Sequence, residues 1–292
     1  MVMVPPMFTG RHLAELWKVD DPKAALWVDA TLGGLPGYRP LVRPPKQLDR
    51  WMVDEVMAAS SPLLDAAEAA LAVLPEAAAR STYRSILTAI AGGDRTLSGI
   101  ARVIGMQPTA MTRPLQSLQR AGLVIRIPDP LRDRRDLFDL ADPHLRFWLK
   151  VIASRRTQLS AGRAAEVWAA IRETTWLSQV LGPRWESVVR SHLAASWPMT
   201  SGAVVVGTTT ISDRSAKKGH ELDIVVTVDG KVAALGEAKL RRLGRPDVDR
   251  LRRLQELIGA PEARRVLASA TGVDQVAVSD NVSAIGPSDI YG

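Results

Sequence analysis

The sequence predicts a multidomain protein with an α+β part and an α/β part: a winged helix-turn-helix with helical flanks, then a domain with the element order αβββαβ. The first part is predicted by three helical patterns within residues 79–142, together with two β-rich runs around an Arg-rich tip. The second part is predicted by β-rich runs between and after two helical patterns in residues 182–270. The hairpin dipeptide Asp229-Gly230 joins two of these runs.

The composition is that of an ordinary globular protein with a basic surplus. The chain has 292 residues, of which 46% are hydrophobic and 24% charged, so it is long enough for two domains. The 38 Lys and Arg exceed the 31 Asp and Glu, which favours polyanionic partners such as nucleic acid. Cysteine is absent, which excludes disulfides, thiolate catalysis and Cys-ligated zinc.

The N-terminal residues 1–8 lack the basic stretch of a signal peptide, and no run approaches the ~18 apolar residues of a membrane span. We therefore expect a cytoplasmic protein without membrane contact. Gly33-Gly34 is not followed by the lysine of a phosphate-binding loop, and no Walker A pattern occurs in the chain. The sequence thus predicts no nucleotide cofactor.

Helical flanks surround the predicted winged helix. Residues 11–45 begin with a helical pattern, residues 46–78 are Ala-rich and favour helices, and residues 144–182 are helical again. Aromatic residues at helical spacing in the last segment are interpreted as packing residues. His144 follows Asp142-Pro143 at a helix start, so we interpret it as a capping or surface residue.

The winged helix is predicted in three steps. One helical pattern ends at Gly92-Gly93, a second covers residues 97–104, and Gly105 turns the chain into a third helix over residues 109–121. Residues 122–127 and 136–140 read as two strands. Pro114 lies inside the third helix and removes a hydrogen bond there, so that helix is either kinked or begins later.

In this interpretation, the third helix enters the DNA major groove and the wing contacts the backbone alongside. Winged helices also serve as dimerisation or docking modules, so a homodimer through this domain stays an alternative. The predicted nucleic-acid contacts are Thr109, Thr112, Arg113, Gln116 and Arg120 on the helix, and Arg132, Arg134 and Arg135 on the wing.

The C-terminal part follows the order αβββαβ. Its predicted elements are a helix over 182–197 with Glu186 in its first turn, strands over 204–211, 221–228 and 231–238, a basic helix over 245–258, and a strand over 266–270. Because side chains alternate along a strand, Glu237 and Lys239 share a face, and so do Glu221 and Asp223.

A lone Asp followed by Glu-x-Lys resembles the signature of the PD-(D/E)xK phosphodiesterases, which have the restriction-endonuclease fold. Here the residues are Asp223 and Glu237-Ala238-Lys239. Carboxylate oxygens suit Mg²⁺ or Mn²⁺, which activates water and polarises the scissile phosphate, while the lysine orients the water. Charged residues at alternate positions are also typical of the solvated face of a half-buried strand, so that interpretation stays open.

Several motifs in order extend the likeness to nearly the whole chain, which resembles the C-terminal two-thirds of the archaeal-type ATPases. In that family, the nucleotide-binding module is followed by a winged helix and a nuclease-like domain. The matching segments are Gly33 to Tyr38, Tyr83 to Gly93, Asp142 to Trp148, Gly182 to Glu186, Glu221 to Ile224, and Gly236 to Lys239.

The resemblance implies a domain division and sets a limit. Residues 1–45 look like the remnant of the ATPase lid, residues 46–158 form a helical region containing the winged helix (79–142), and residues 159–292 form the PD-(D/E)xK nuclease-like domain. The P-loop module is missing from this sequence, so the family's ATP-driven behaviour is not carried over.

The resemblance also implies site residues. Asp223, Glu237 and Lys239 would be catalytic, with Asp223 and Glu237 as metal ligands helped by the Ala238 carbonyl and Glu186. Lys239 would position the attacking water, and Glu221 is a further candidate. Basic residues from Lys239 to Arg253, among them Arg241 and Arg242, would lie beside a phosphate backbone. The alternative for this run is a solvated helix face.

We therefore expect a DNA-binding protein with a metal-dependent phosphodiesterase domain, a candidate divalent-metal-dependent deoxyribonuclease that is not an ATPase by itself. The first alternative is a catalytically silent nuclease fold that acts as a DNA-binding or regulatory module. The second is a protein-interaction module with the winged helix as its dimer interface. The enzyme hypothesis requires the carboxylates of Asp223 and Glu237 to be open to solvent beside the Lys239 ammonium.

Overall fold

The computed structural model describes residues 7–72, 80–133, 135–198, 202–213, 217–275 and 281–292. The chain divides into two compact units. The first comprises Met1–Arg126 and Leu137–Arg184, and the second comprises Ile127–Asp136 and Trp185–Gly292. No helix in these ranges combines the length and the apolar character that a membrane crossing needs.

The first unit is mainly helical. Short 3₁₀ or π-helical segments at Pro36–Leu41, Met52–Val56, Trp148–Ile152, Ala153–Arg155 and Arg172–Leu181 continue or link its α-helices. Those α-helices are α1 (Gly10–Trp17), α2 (Pro22–Leu32), α3 (Leu48–Trp51), α4 (Leu63–Ala72), α5 (Arg80–Ala91), α6 (Leu97–Ile104), α7 (Pro108–Arg120), α8 (Pro143–Phe147), α9 (Arg156–Ser160) and α10 (Ala164–Ile171).

Aromatic side chains form part of the core of this unit, as the helical spacing predicted. The ring centroids of Trp27 and Trp176 lie 5.4 Å apart, and Trp168 and Phe147 pack against Trp176 at 5.6 and 5.9 Å. The side chains of Trp168, Trp176 and Phe147 are each at most 5% exposed. These distances are typical of edge-to-face packing between aromatic rings.

The interpretation of His144 as a capping or surface residue is wrong. Its ring is fully buried, with Nδ1 3.0 Å from the Thr31 carbonyl oxygen and Nε2 3.3 Å from that of Leu63. The helix cap is Asp142, whose carboxylate accepts a hydrogen bond from the His144 backbone N–H. A cap pattern fixes where a helix begins but not which of its faces is buried.

The winged helix is confirmed. Helices α5, α6 and α7 pack through Ile86, Ile100 and Met111, each fully buried. Two strands that pair in a two-stranded sheet follow, β1 (Val124–Pro128) and β2 (Asp136–Leu140). A bridge between Thr96 and Leu137 brings a short third segment against β2, and no pattern in the sequence predicted it.

The third helix of this domain, α7, begins at Pro108 and continues through Pro114. The alternative that this helix begins later than predicted is therefore wrong. Pro108 stands at the first helical position, where the missing N–H has no partner to lose. At Pro114, the carbonyl of Ala110 receives no helical hydrogen bond, because proline has no N–H to donate.

The second unit contains a five-stranded sheet in the order β3-β4-β5-β6-β7. The first three strands are antiparallel, and β5, β6 and β7 are parallel. Its elements are α11 (Gly182–Ser196), β3 (Val204–Asp213), β4 (Lys218–Val228), β5 (Lys231–Lys239), α12 (Arg245–Ile258), β6 (Arg264–Ser269), β7 (Val282–Ile285) and α13 (Pro287–Tyr291).

The predicted order αβββαβ is confirmed for the elements from α11 to β6. The turn between β4 and β5 is the predicted hairpin, with φ of 49° at Asp229 and 75° at Gly230. Such left-handed pairs match the twist of adjoining strands. Two further elements, β7 and α13, were not predicted.

One face of the sheet packs on α12. Val225, Leu235 and Leu267 project from the strands into a buried cluster with Leu251 and Leu254 of that helix. Helix α11 also reaches the sheet, because the indole N–H of Trp185 donates to the Ala268 carbonyl oxygen at 3.2 Å. Trp185 itself is fully buried. The edge where β5 ends thus lies beside residues from both helices.

Candidate functional site

The three residues of the predicted signature come together; we call Asp223, Glu237 and Lys239 the acid–lysine site. Strands β4 and β5 pair as far as Ile224 and Gly236, so Asp223 and Glu237 occupy the next positions. The Lys239 ammonium lies 2.6 Å from Oδ2 of Asp223, and the Ala238 backbone N–H donates to the same oxygen at 3.0 Å. Asp223 therefore binds β5 just past the last paired residues.

Asp223 lies in an irregular stretch of β4. Between the pairs Gly207↔Val225 and Thr209↔Leu222, β3 has one residue and β4 has two, namely Asp223 and Ile224. An extra residue of this kind is a β-bulge, which re-aims the side chains around it. The bulge breaks the simple alternation assumed from the sequence, and Glu221 is exposed although Asp223 is buried.

A second cation reaches the acid–lysine site from α12. The Arg250 guanidinium forms an ion pair with the Glu237 carboxylate and donates to the backbone carbonyl oxygen of Glu221 at 3.0 Å. Arg250 belongs to the basic run from Lys239 to Arg253 that is predicted to lie beside a phosphate backbone. Arg250 lies four residues before the buried Leu254, and this spacing along the helix was the available signal that it faces the sheet.

The third predicted metal ligand, Glu186, has a cationic neighbour of its own. Its carboxylate lies 3.8 Å from the guanidinium of Arg190. Arg190 has a buried side chain and donates to the backbone carbonyl oxygen of Asp223 at 3.0 Å. Within the described parts of the chain, no three His, Asp or Glu side chains form a group able to hold a metal ion.

Both carboxylates of the acid–lysine site are buried: Asp223 is 5% exposed and Glu237 is 3% exposed. The condition that they be open to solvent is not met. Burying a carboxylate is costly unless a cation compensates it, and here Lys239 and Arg250 supply two positive charges for two negative ones. As arranged, these donors do not fit a divalent cation, because each acid already has a partner. Metal binding stays a prediction.

Two further basic residues predicted to contact phosphate lie near the end of β5. Arg241 pairs with Asp247 at 2.6 Å and Arg242 with Asp274 at 2.5 Å, and both arginine side chains remain more than half exposed. Burial raises the pKa of Asp247, but hydrogen bonds from Arg241 and from the Gly244 N–H outweigh it, so that this pKa is lowered overall.

The exposed face of α7 carries the residues predicted to contact DNA; we call them the α7 face. Its opposite side, with Met111, Leu115 and Leu118, is buried. Cations and hydrogen-bonding side chains thus share one accessible helical surface. The α7 face comprises Thr109, Thr112, Arg113, Gln116 and Arg120, all exposed.

The wing differs from the expectation of an arginine tip directed at DNA. Arg132 donates to the backbone carbonyl oxygen of Thr210 in β3 at 2.6 Å, and Arg135 lies 3.9 Å from Asp129. The tip, residues 127–136, is part of the second compact unit. Arg134 lies outside the described residues. Two of the three predicted wing contacts therefore have protein partners.

Comparison with protein families gives two matches within the chain. Residues 81–135 match the MarR family, which covers the winged helix. Residues 148–251 match a family described as "Archaea bacterial proteins of unknown function". This match includes the whole acid–lysine site and Arg250. No curated protein and no solved structure matches the chain. The winged-helix segment of the chain is therefore similar to the MarR family, and the segment after it is similar to a family whose function is unknown.

Proposed function

We propose that this protein binds duplex DNA through the α7 face, and that its C-terminal domain is a catalytically silent relative of the PD-(D/E)xK phosphodiesterases. The observation that carries the first half is the α7 face: three polar side chains and two arginines exposed on the third helix of a MarR-family domain. This helix is the one that lies in the major groove in helix-turn-helix proteins.

The second half rests on the charges of the acid–lysine site. The strand order around it and the meeting of Asp223, Glu237 and Lys239 support the PD-(D/E)xK relationship. The pairing of Glu237 with Arg250 supports the absence of catalysis, because a metal-dependent phosphodiesterase needs free carboxylate oxygens. The sequence-based alternative is cleavage by a bound Mg²⁺ or Mn²⁺ at these carboxylates, and the convergence of the three residues is what favours it.

DNA binding by the α7 face is tested by the salt dependence of affinity. Fluorescence anisotropy with a labelled duplex, repeated over a series of salt concentrations, gives the slope of log affinity against log salt. That slope is negative, and each lost phosphate contact reduces its magnitude by about 0.9, so the double variant Arg113→Ala/Arg120→Ala is expected to reduce the magnitude by about 2 per chain. Arg50→Ala, which removes an exposed arginine from α3, is the control.

An unchanged slope in the double variant would refute DNA binding through this face. The expected result also includes a weaker affinity that falls roughly alike for all duplex sequences, because phosphate contacts carry no sequence information. Loss of sequence preference, by contrast, is expected from Gln116→Ala. Its exposed amide can pair with an adenine edge.

We further propose that the protein is a homodimer through its winged-helix domain, as MarR-family members typically are. Size-exclusion chromatography with light scattering would then give twice the 31.7 kDa of one chain. A mass of one chain at the concentrations used for DNA binding would contradict it. The relationship to archaeal-type ATPases is also a proposal, supported by the order of the motifs along the chain.

A further inference from the structure

The acid–lysine site differs from an open metal site in one side chain, Arg250. Two buried carboxylates lie on adjacent strands, Asp223 at the bulge of β4 and Glu237 near the end of β5, and each has its own cation: Lys239 for Asp223 and Arg250 for Glu237. Lys239 belongs to the signature itself. Arg250 does not, and it comes from a different element, α12.

Arg250 is anchored at two points. Its guanidinium pairs with the Glu237 carboxylate and also donates to the Glu221 carbonyl oxygen in β4, so one side chain ties α12 to two strands. The Glu237 side chain is 3% exposed and that of Arg250 is 33% exposed. The carboxylate thus depends on Arg250 for compensation, because little water reaches it.

This inference rests on the proposal that the C-terminal domain is catalytically silent. We propose that Arg250 is the resident cation of the acid–lysine site and occupies the place of the divalent metal that an active phosphodiesterase would hold there. A divalent cation entering this site would be repelled by the positive charges of both Lys239 and Arg250. This repulsion is strong beside buried carboxylates, where little water screens it. Removing the guanidinium leaves Glu237 uncompensated and its oxygens free. The variant Arg250→Gln therefore gains a divalent-cation site that the natural sequence lacks.

The test is to measure Mn²⁺ binding directly, using electron paramagnetic resonance to quantify the free ion and calorimetry to obtain the affinity and stoichiometry. We expect no stoichiometric Mn²⁺ binding by the unaltered protein and one ion per chain in Arg250→Gln, with an apparent affinity at least ~10-fold higher. Arg253→Gln, an exposed position on the same helix, is the matched control and stays metal-free. Adding Glu237→Gln to Arg250→Gln abolishes the gained binding.

Two outcomes overturn the proposal. One is stoichiometric Mn²⁺ binding by the unaltered protein that Asp223→Asn removes. The other is a folded Arg250→Gln variant, as judged by circular dichroism, that binds no Mn²⁺. If Arg250→Gln fails to fold, Arg250→Met keeps an apolar stem without the charge. We expect the folded Arg250→Met variant to bind one Mn²⁺ per chain, and its complete lack of binding would overturn the proposal.

DNA affinity measured on the same samples separates this inference from the proposed DNA binding. Arg250→Gln is expected to bind duplex DNA as the unaltered protein does, because the α7 face is intact. Arg113→Ala/Arg120→Ala loses DNA affinity without gaining Mn²⁺. If metal binding appears as expected while α7 substitutions leave DNA affinity unchanged, the role of Arg250 stands and DNA binding through α7 fails.

Discussion

The ion pair between Arg250 and Glu237 predicts a specific pattern of stabilities in a double-mutant cycle. Breaking a buried pair by removing one partner costs about 3–5 kcal/mol. Because the Arg250 side chain is one-third exposed, we expect Arg250→Gln to lie at the lower end, about 3 kcal/mol. Glu237→Gln leaves a cation that can reach solvent, so about 1 kcal/mol is expected there.

The double variant Arg250→Gln/Glu237→Gln is expected to be more stable than Arg250→Gln alone, because no buried charge is left without a partner. The coupling free energy between the two positions should be about 2 kcal/mol. Hydrogen exchange of the β5 backbone amides measures the stability of the sheet separately from that of the helical unit. A loss of 3 kcal/mol appears there as a roughly 100-fold faster exchange through unfolding.

Arg253→Gln serves as the control for this cycle, since an exposed position on the same helix should change stability by less than about 0.5 kcal/mol. Additive effects of the two single substitutions would refute the reasoning, because independent residues show no coupling. Equal exchange rates in Arg250→Gln and in the unaltered protein would do the same.

Three other predictions concern the surrounding fold. Burial lowers the pKa of His144, so the stability it contributes is fully present above the unfolded pKa of about 6.5 and is lost as the pH falls below it. Urea unfolding should therefore show a decrease in the free energy of unfolding of up to about 1.4 kcal/mol per pH unit below that value. This decrease should be absent in His144→Gln. Asp29→Asn weakens the two hydrogen bonds that Arg184 donates to Oδ1 of a fully buried carboxylate. It should cost about 3 kcal/mol in urea unfolding, and a cost below 1 kcal/mol would contradict this. In Gly236→Ala, the new Cβ would lie 2.5 Å from a β6 carbonyl oxygen, so the melting temperature should fall sharply, whereas Gly37→Ala meets no atom within 4 Å and should leave it unchanged.

The element order was predictable because its signals are local. Alternating and apolar runs identify strands, Asp229-Gly230 identifies a hairpin, and Gly105 identifies the turn before the third helix. The hairpin brings β4 and β5 together, but its first pairs alone would place Asp223 opposite Gly236. A register shift between Val226 and Thr227 moves the pairing by one residue and brings Asp223 next to Glu237. The sequence therefore predicted the neighbouring strands but not the register that brings the acid–lysine residues together.

The partners of these residues were not predictable in the same way. Arg250 reaches Glu237 only because α12 docks on the sheet, which depends on the packing of Leu251 and Leu254 rather than on any pattern near Glu237. The bulge at Asp223 arises from a mismatch with β3 that no run of residues announces. His144 was misassigned for a related reason, since its burial depends on α8 packing with distant segments.

We propose that the protein binds DNA without cutting it, because its own cations already compensate the acidic residues. The decisive experiment is to incubate supercoiled plasmid with the protein and Mn²⁺, at concentrations where a gel shift demonstrates binding. After removal of the protein, the plasmid is expected to remain supercoiled. Nicked or linear product that disappears in both Glu237→Gln and Lys239→Ala would contradict the claim and establish metal-dependent cleavage at the acid–lysine site.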